Sequence, residues 1–288
     1  MFDTFKNRLE ITGKLTTITA LRISAGRSTE PIGTDLPVMK DALGHPLIPG
    51  SSFKGAMRSR LESFLRGIDS SFAEDPADFT SSSRNQYVKD LKDTYKDNDL
   101  ELTQQLLEMT DLISHLFGSP WIASKFQVRD LTVLPATWFG QYQERDGVAI
   151  DRDTETAADG KLYDFQVVPA ATEFEFRAVV ENAEPWELGL LMIGLHQFET
   201  EQIPLGGGRS RGLGVIKLDI SEMWWLDVNN NPEKLLTYLQ ELVNSKIGDK
   251  LTSYQEGKDF KDIWTQALIK HLRDNIPNNS TTATQTQS

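Results

Sequence analysis

Residues 32–66 read IGTDLPVMKDALGHPLIPGSSFKGAMRSRLESFLR, and how this stretch divides determines what the chain can be. Pro46 and Pro49 hold the approach extended, because a residue before proline is driven out of the helical region. Beyond Gly50, the residues Phe53, Met57, Leu61, Phe64 and Leu65 recur at three- and four-residue spacing, one buried stripe of a helix. Ser51 or Ser52 is the expected N-cap, accepting a hydrogen bond from a first-turn amide. Lys54, Arg58 and Glu62 fall on another face. A helix start with spare N–H groups, two hydroxyls and nearby cations suits a phosphate. An ordinary capped amphipathic helix accounts for the same residues without any ligand. Ahead of the helix, a loop rich in Gly and Pro carries Asp35 (in GTDLP) and His45 (in GHPLIPG).

Composition narrows the class. A chain of 288 residues with 39% hydrophobic and 25% charged residues is an ordinary globular composition and can bury a large core. No apolar run approaches the roughly 20 residues that span a bilayer. MFDTFKNRLEITGKL lacks the basic and apolar regions of a signal peptide, so a cytoplasmic protein is expected. With no cysteine and only four histidines, disulfides, thiolate chemistry and Cys-based zinc sites are excluded. The net charge of −12 runs against nucleic-acid binding, but its distribution is uneven. Residues 40–66 hold five basic and two acidic side chains, and residues 67–111 hold four basic and eleven acidic ones. A basic stripe on an acidic body is a possible RNA footprint, and equally fits an acidic protein that binds something else.

Along the chain, Arg8–Ser24 alternates apolar and polar residues as a long strand with a bend expected near Gly13 or after Thr19. A loop follows, with a short strand at Pro37–Lys40, and then the helix to Arg66. Residues 67–112 are acidic and Ser-rich, an insertion with helical parts near Tyr87–Tyr95 and Asp99–His115. Lys125–Leu134 alternates as a strand. Residues 139–166 suggest a projecting hairpin, with Val148 and Ile150 as its strongly apolar tip-side residues. Phe165–Glu181 is β-like, Pro185 opens a helix to about Thr200, and Leu213–Ile220 forms a last strand. The order is β-α-β-β-α-β with insertions, an α+β, ferredoxin-like (RRM-like) arrangement also used by RNA-recognition modules. Residues 226–275 add C-terminal helices, and the polar stretch at 276–288 is an expected disordered tail.

A second segment, IPLGGGRSRGLGVIKLDI at Ile203–Ile220, gives the first its meaning. Its glycines fit neither nucleotide-binding pattern: no Lys-Ser or Lys-Thr pair follows the last glycine, and position 211 is Arg where G-x-G-x-x-G requires Gly. Glycines beside Arg209 and Arg211 instead let a backbone approach an RNA strand closely. Together, IPGSSFKG early and LGGGRSRGLG late resemble the RAMP superfamily of CRISPR-associated proteins. Within it the chain looks most like the repeated Cas-seven-type backbone subunit that coats guide RNA in type III effector complexes. The resemblance covers residues 8–220 and makes residues 1–225 a RAMP domain, with the insertion at 67–112 and a thumb at 139–166.

The resemblance also implies roles. Asp35 alone is a turn former or a lone carboxylate able to bind a divalent cation, or to take a proton from a ribose 2′-hydroxyl. Asp35-Leu36-Pro37 matches the Asp-x-Pro of the family's cleaving loop, which implies a catalytic Asp35 with a divalent cation, Mg2+, bound at Asp35. Ser51, Ser52, Lys54 and Arg58, with Gly207, Gly208, Arg209 and Arg211, are then expected to hold the guide RNA backbone, and Val148 and Ile150 to wedge the guide–target duplex. Implied partners are guide RNA, complementary target RNA, further copies of the chain and other complex subunits. A scaffold that binds without cutting, or a stand-alone nuclease with His45 as its acid, fits the same loops. Asp151-x-Asp153-x-Glu155 is no calcium loop, because Thr156 and Leu162 stand where Gly and Glu are required.

Overall fold

The computed structural model describes residues 4–26, 34–150, 157–228, 231–246 and 250–276, with the side chains of residues 80, 82, 148–150 and 157–162 outside that description. In β1 (Asn7–Thr17), Leu9, Ile11, Leu15 and Thr17 turn inward while Glu10 and Lys14 turn out, the period-two pattern of a half-buried strand. Next come β2 (Leu47–Ile48), α1 (Gly50–Ile68), α2 (Ser82–Thr94), α3 (Asp99–Glu108) and α4 (Leu112–Phe117). The chain continues through β3 (Phe126–Val128), β4 (Leu131–Thr132), β5 (Gln143–Ile150), β6 (Ala157–Val167), β7 (Glu173–Glu181) and α5 (Pro185–Glu199). It closes with β8 (Ile216–Asp227), α6 (Pro232–Asn244), β9 (Gln255–Glu256) and α7 (Lys261–Asn275).

The main sheet is five-stranded in the order β3-β7-β1-β8-β9, antiparallel throughout, with β1 at its centre. Where β1 meets β8 the register shifts between Thr12 and Gly13, and a Cβ at Gly13 would stand 2.4 Å from Asp219 O. The expected bend near Gly13 is this bulge. The helices α1 and α5 cover the apolar face. Phe53 sits between Phe176 of β7 (5.0 Å between ring centroids) and Phe198 of α5 (4.2 Å), and Gly194 lets α5 close onto Met57, whose Sδ lies 2.8 Å from where a Cβ would be.

The C-terminal helices differ from each other. Trp264, Leu268 and Leu272 of α7 belong to the main core, and Gly189 of α5 admits the Trp264 carbonyl to 2.2 Å of its absent Cβ. The helix α6 packs instead on a smaller cluster of Leu226, Val228, Tyr238, Leu251 and Tyr254. In the acidic insertion, Val88 and Leu106 form a satellite cluster with Ile122. The expected helix at Asp99–His115 is two, α3 and α4, because Asp111 N-caps the second by accepting from Ser114 N (3.2 Å). The strand expected at Lys125–Leu134 is also two pieces. Its first half joins the main sheet on β7, and its second pairs with β2. The last strand runs over Ile216–Asp227 rather than Leu213–Ile220, since Gly214 and Val215 bond the loop after β1 instead. Tail residues 277–288 lie outside the described ones, and among those described no helix is long and apolar enough to cross a membrane.

A buried ion pair ties the sheet edge to α5. Glu187 is fully buried, and both its oxygens accept from Lys125 Nζ, at 2.7 and 2.6 Å. Glu187 Oε2 also accepts from the Glu184 amide (2.7 Å), closing the N-terminus of α5. Removing one partner strands the other charge. Glu187→Ala is therefore expected to lower stability by about 3–5 kcal/mol, and the pair of changes Lys125→Met with Glu187→Leu by distinctly less. Urea unfolding curves of the three proteins test this ordering.

Candidate nucleic-acid interface

The N-terminus of α1 is closed by the protein itself. Its N-cap is Pro49, which has no side-chain acceptor, and Ser51 and Ser52 lie inside the first turn, so the expected serine cap is absent. Asp130, at the break between β3 and β4, takes its place, with Oδ1 accepting from Gly50 N at 2.8 Å. The Ser52 and Phe53 amides bond Pro49 O (2.9 and 3.3 Å). A carboxylate from the chain thus already occupies the positive end of this helix. Only glycine fits at its start, since a Cβ on Gly50 would lie 2.4 Å from Val128 O.

Ligand space lies along the flank of α1. Ser51, Gly55, Ser59 and Ser63 recur every four residues on one side, and with Ser52, Ala56 and Arg60 they form one wall of a groove of about 500 Å3. Gln202, Ile203, Pro204, Gly206 and Arg209 form the other. No acidic side chain lines it among the described residues, although the protein carries a net charge of −12. Lys54 and Arg58, expected in the same group as Ser51 and Ser52, face the opposite flank. Lys54 Nζ donates to Ser124 Oγ (2.5 Å), and burial, followed by the charge of Arg58, pushes its pKa down to about 8. All three nitrogens of the Arg58 guanidinium are engaged, by Glu62 Oε1 (2.8 Å), Gly118 O (2.8 Å) and Ser114 Oγ (2.9 Å). The four-residue run of small residues was readable in the sequence. That Arg60 rather than Arg58 faces the groove depended on where α4 packs.

The glycine-rich loop is a shaped turn. Gly206, Gly208, Gly212 and Gly214 all have positive φ, and Arg209–Arg211 forms a 3-10 turn between two left-handed glycines. Gly207 N donates to Arg22 O (2.8 Å), and a Cβ on Gly206 would meet that oxygen at 2.1 Å. The two arginines diverge. Arg209 lines the groove, while Arg211 Nη1 donates to the Tyr163 hydroxyl (3.0 Å) at the hairpin, holding that hydroxyl below the usual tyrosine pKa.

Asp35 is half-buried beside the hairpin of β5 and β6. Its amide donates to Asp164 Oδ1 (3.1 Å), and the buried Thr34 donates through Oγ1 to Glu144 Oε1 (2.7 Å). Leu36 packs on a small cluster of Ala20, Phe165, Val167 and Leu213. Leu213 belongs to the glycine-rich loop, so one apolar platform lies under that loop and the Asp35 loop. His45 is turned to Asp41 (Nδ1 to Oδ2 3.4 Å), within a turn in which Asp41 Oδ1 also accepts from the Leu43 and His45 amides. The backbones of Val148 and Ile150 pair with Leu162 and Ala157, and their side chains lie outside the described ones. No three His, Asp or Glu side chains come together as a metal cage among the described residues.

A family profile of the RAMP superfamily matches residues 14–217, a span holding α1, the Asp35 loop, the hairpin and the glycine-rich loop. The chain belongs to the RAMP superfamily. The RAMP relatives include a protein of Enterococcus italicus named CRISPR system Cms endoribonuclease Csm3, 27% identical over 220 residues, or 75% of this chain and 92% of that one. A Methanocaldococcus jannaschii protein of the same name is 27% identical over 227 residues, covering 74% of this chain and 79% of that one. One from Mycobacterium tuberculosis matches more closely over a shorter part, 48% over 56 residues.

Arg58 and Arg60 of α1 should separate in a melt. Arg58→Ala leaves the nearly buried Glu62 with Arg66 alone (3.3 Å) and is expected to cost about 2–3 kcal/mol. Arg60→Ala, whose guanidinium lies over Phe64 (4.9 Å) at the groove wall, is expected to cost less than about 1 kcal/mol.

Proposed function

We propose that this RAMP protein is a guide-RNA-binding backbone subunit of a type III CRISPR interference complex in the cytoplasm, and that it cleaves complementary RNA at regular intervals. The observation that carries the reading is the acid-free groove between α1 and the glycine-rich loop, which shares an apolar platform with the Asp35 loop. The names of the relatives, endoribonucleases of CRISPR systems, agree with it. So does the strand order, in which the first and last core strands lie side by side and antiparallel, as in a ferredoxin-like domain.

In this reading the guide backbone runs along the flank of α1. Arg60 and Arg209 neutralise phosphates, and the hydroxyls of Ser51, Ser52, Ser59 and Ser63 fix the register. Gly207 and Gly208 let the strand approach closely, and Arg60 with its neighbouring serines takes the place that the resemblance implied for Lys54 and Arg58. Arg211 stands at the hairpin instead, where Val148 and Ile150 would part the guide–target duplex. Copies of the subunit follow one another along the guide, alongside other subunits.

At a nucleotide turned out of the duplex, Asp35 takes the proton of the ribose 2′-hydroxyl. The resulting oxygen attacks phosphorus, and the bond to the 5′-oxygen of the next nucleotide breaks, leaving a 2′,3′-cyclic phosphate and a 5′-hydroxyl whose proton comes from water. Displacement of the base from the stack matters, because a regular A-form helix keeps the 2′-oxygen out of line with the leaving oxygen. A divalent cation, Mg2+ in this proposal, would neutralise the phosphate. With no carboxylate cage in the described residues, it would be held by Asp35 together with phosphate oxygens, a common way of binding Mg2+.

The experiment is cleavage of a labelled RNA complementary to the guide, by complexes assembled with wild type or Asp35→Ala, with magnesium present. Wild type should cut at regular intervals, and the variant should bind the same RNA without cutting. A 2′-deoxy nucleotide at each scissile position should block wild-type cutting. If both proteins cut alike, or neither cuts, the subunit is a scaffold and Asp35 a turn residue. Turnover of precursor guide RNA by the isolated chain would instead make it a processing nuclease.

A further inference from the structure

The segment that carries Asp35 is fastened to the β5–β6 hairpin more tightly than a surface loop needs. Thr34 Oγ1 bonds Glu144 of β5 (2.7 Å), and Asp35 N bonds Asp164 of β6 (3.1 Å). Gln166 N then donates to Leu36 O (3.1 Å), and Leu36 forms a parallel bridge with Phe165. Three consecutive residues therefore attach to both strands of the hairpin. The two carboxylates that make the side-chain ties sit in a place that costs stability. Asp164 lies directly opposite Asp146, and Glu144 lies two residues before Asp146 on the same face of β5. Like charges opposed across a strand pair repel. Asp146, Asp164 and Glu144 thus share one face of the hairpin without converging on a common centre. The hydroxyl and amide donors of Thr34 and Asp35 offset part of that repulsion.

We infer that Asp164, seconded by Glu144, is a positioning residue for the cleaving carboxylate. By accepting from the Asp35 amide it fixes the backbone from which the Asp35 side chain projects. The loop and the hairpin consequently move as one body, and the seating of the hairpin on paired RNA sets where Asp35 points. This rests on the reading of Asp35 as the residue that cuts. The inference adds to it that the hairpin is a structural part of the cleavage site, through residues that do not touch the RNA bond that breaks.

The test uses assembled complexes carrying wild type, Asp35→Ala, Asp164→Ala, Asp164→Asn or Thr34→Val. Single-turnover cutting and target affinity are both measured on saturating labelled RNA. Asp164→Ala is expected to slow cutting by about 10–100-fold, the scale of a small misplacement of a reacting group, without loosening the target. Asp164→Asn keeps a side-chain oxygen for the Asp35 amide and is expected to recover most of the rate. Thr34→Val, which keeps its shape and loses the donor, is expected to slow cutting as well, and it carries the test if Asp164→Ala fails to assemble. Should Asp35→Ala still cut, the reading of Asp35 itself falls. If Asp35→Ala is silent while Asp164→Ala and Thr34→Val cut at the wild-type rate, only the positioning role falls. An Asn variant as slow as Ala would overturn positioning in favour of a charge that acts directly. Loss of affinity in step with rate would overturn it in favour of a hairpin that only grips RNA.

Discussion

The hydrogen bond from Gly50 N to Asp130 Oδ1 decides where α1 begins, and much of the molecule follows from it. The bond requires the chain after β3 to break and turn, so β3 joins the main sheet while β4 pairs with β2. Pairing of β2 with β4 in turn holds the end of the Asp35 loop, since β2 directly precedes the helix. The contact is close enough that Val128 O occupies the space of a side chain at position 50. Helix start, strand break and loop end are one junction. A shift of α1 by a single residue would turn the Ser51–Ser63 flank away from the glycine-rich loop, because each residue rotates the helix by about 100°.

A second dependence joins the two loops. The small cluster of Ala20, Phe165, Val167 and Leu213 lies apart from the main core, with Leu36 and Tyr163 packed against it. Leu36 brings the Asp35 segment to it and Leu213 the glycine-rich loop, while Phe165 carries Arg22 over its ring (4.5 Å). Loops that carry function are usually the least fastened parts of a fold. Here both are anchored on the same apolar residues at the base of the hairpin. Their relative position is therefore a property of packing at the base of the hairpin.

The elements were legible where periodicity is local. The alternation in β1, the helix opened by Pro185, the C-terminal helices and the stripe of α1 at Phe53, Met57, Leu61 and Leu65 could be read from spacing, whereas Phe64, expected in that stripe, is exposed. Family membership could be read from IPGSSFKG and GGGRSRGLG. What escaped depended on partners far along the chain. The cap of α1 comes from a residue 80 positions away, and no local pattern announces it. Two serines beside a helix start are good caps, but Pro49 had already fixed the chain so that both fell inside the first turn. Likewise, spacing put Lys54 and Arg58 on one face and could not say that α4 and Ser124 would cover it. The attachment of Thr34, Asp35 and Leu36 to the hairpin joins stretches more than a hundred residues apart.

The occupied helix end changes how an anion can be held. A helix N-terminus offers free amides and a partial positive charge to a phosphate, but here Asp130 has taken that place and brings a full negative charge. A phosphate at the tip of α1 would meet a carboxylate. The same phosphate alongside the helix meets hydroxyls, two guanidiniums and, among the described lining residues, no acid. Serine, glycine and alanine at the wall let a sugar–phosphate chain come near the helix axis, where longer side chains would hold it off. Direction follows from this. In the proposed reading the strand runs along α1 rather than end-on to it, with its charge met by Arg60 on one wall and Arg209 on the other. The carboxylate at the helix tip acts in the same sense, because a polyanion meets repulsion at the end of α1 and two guanidiniums along its flank.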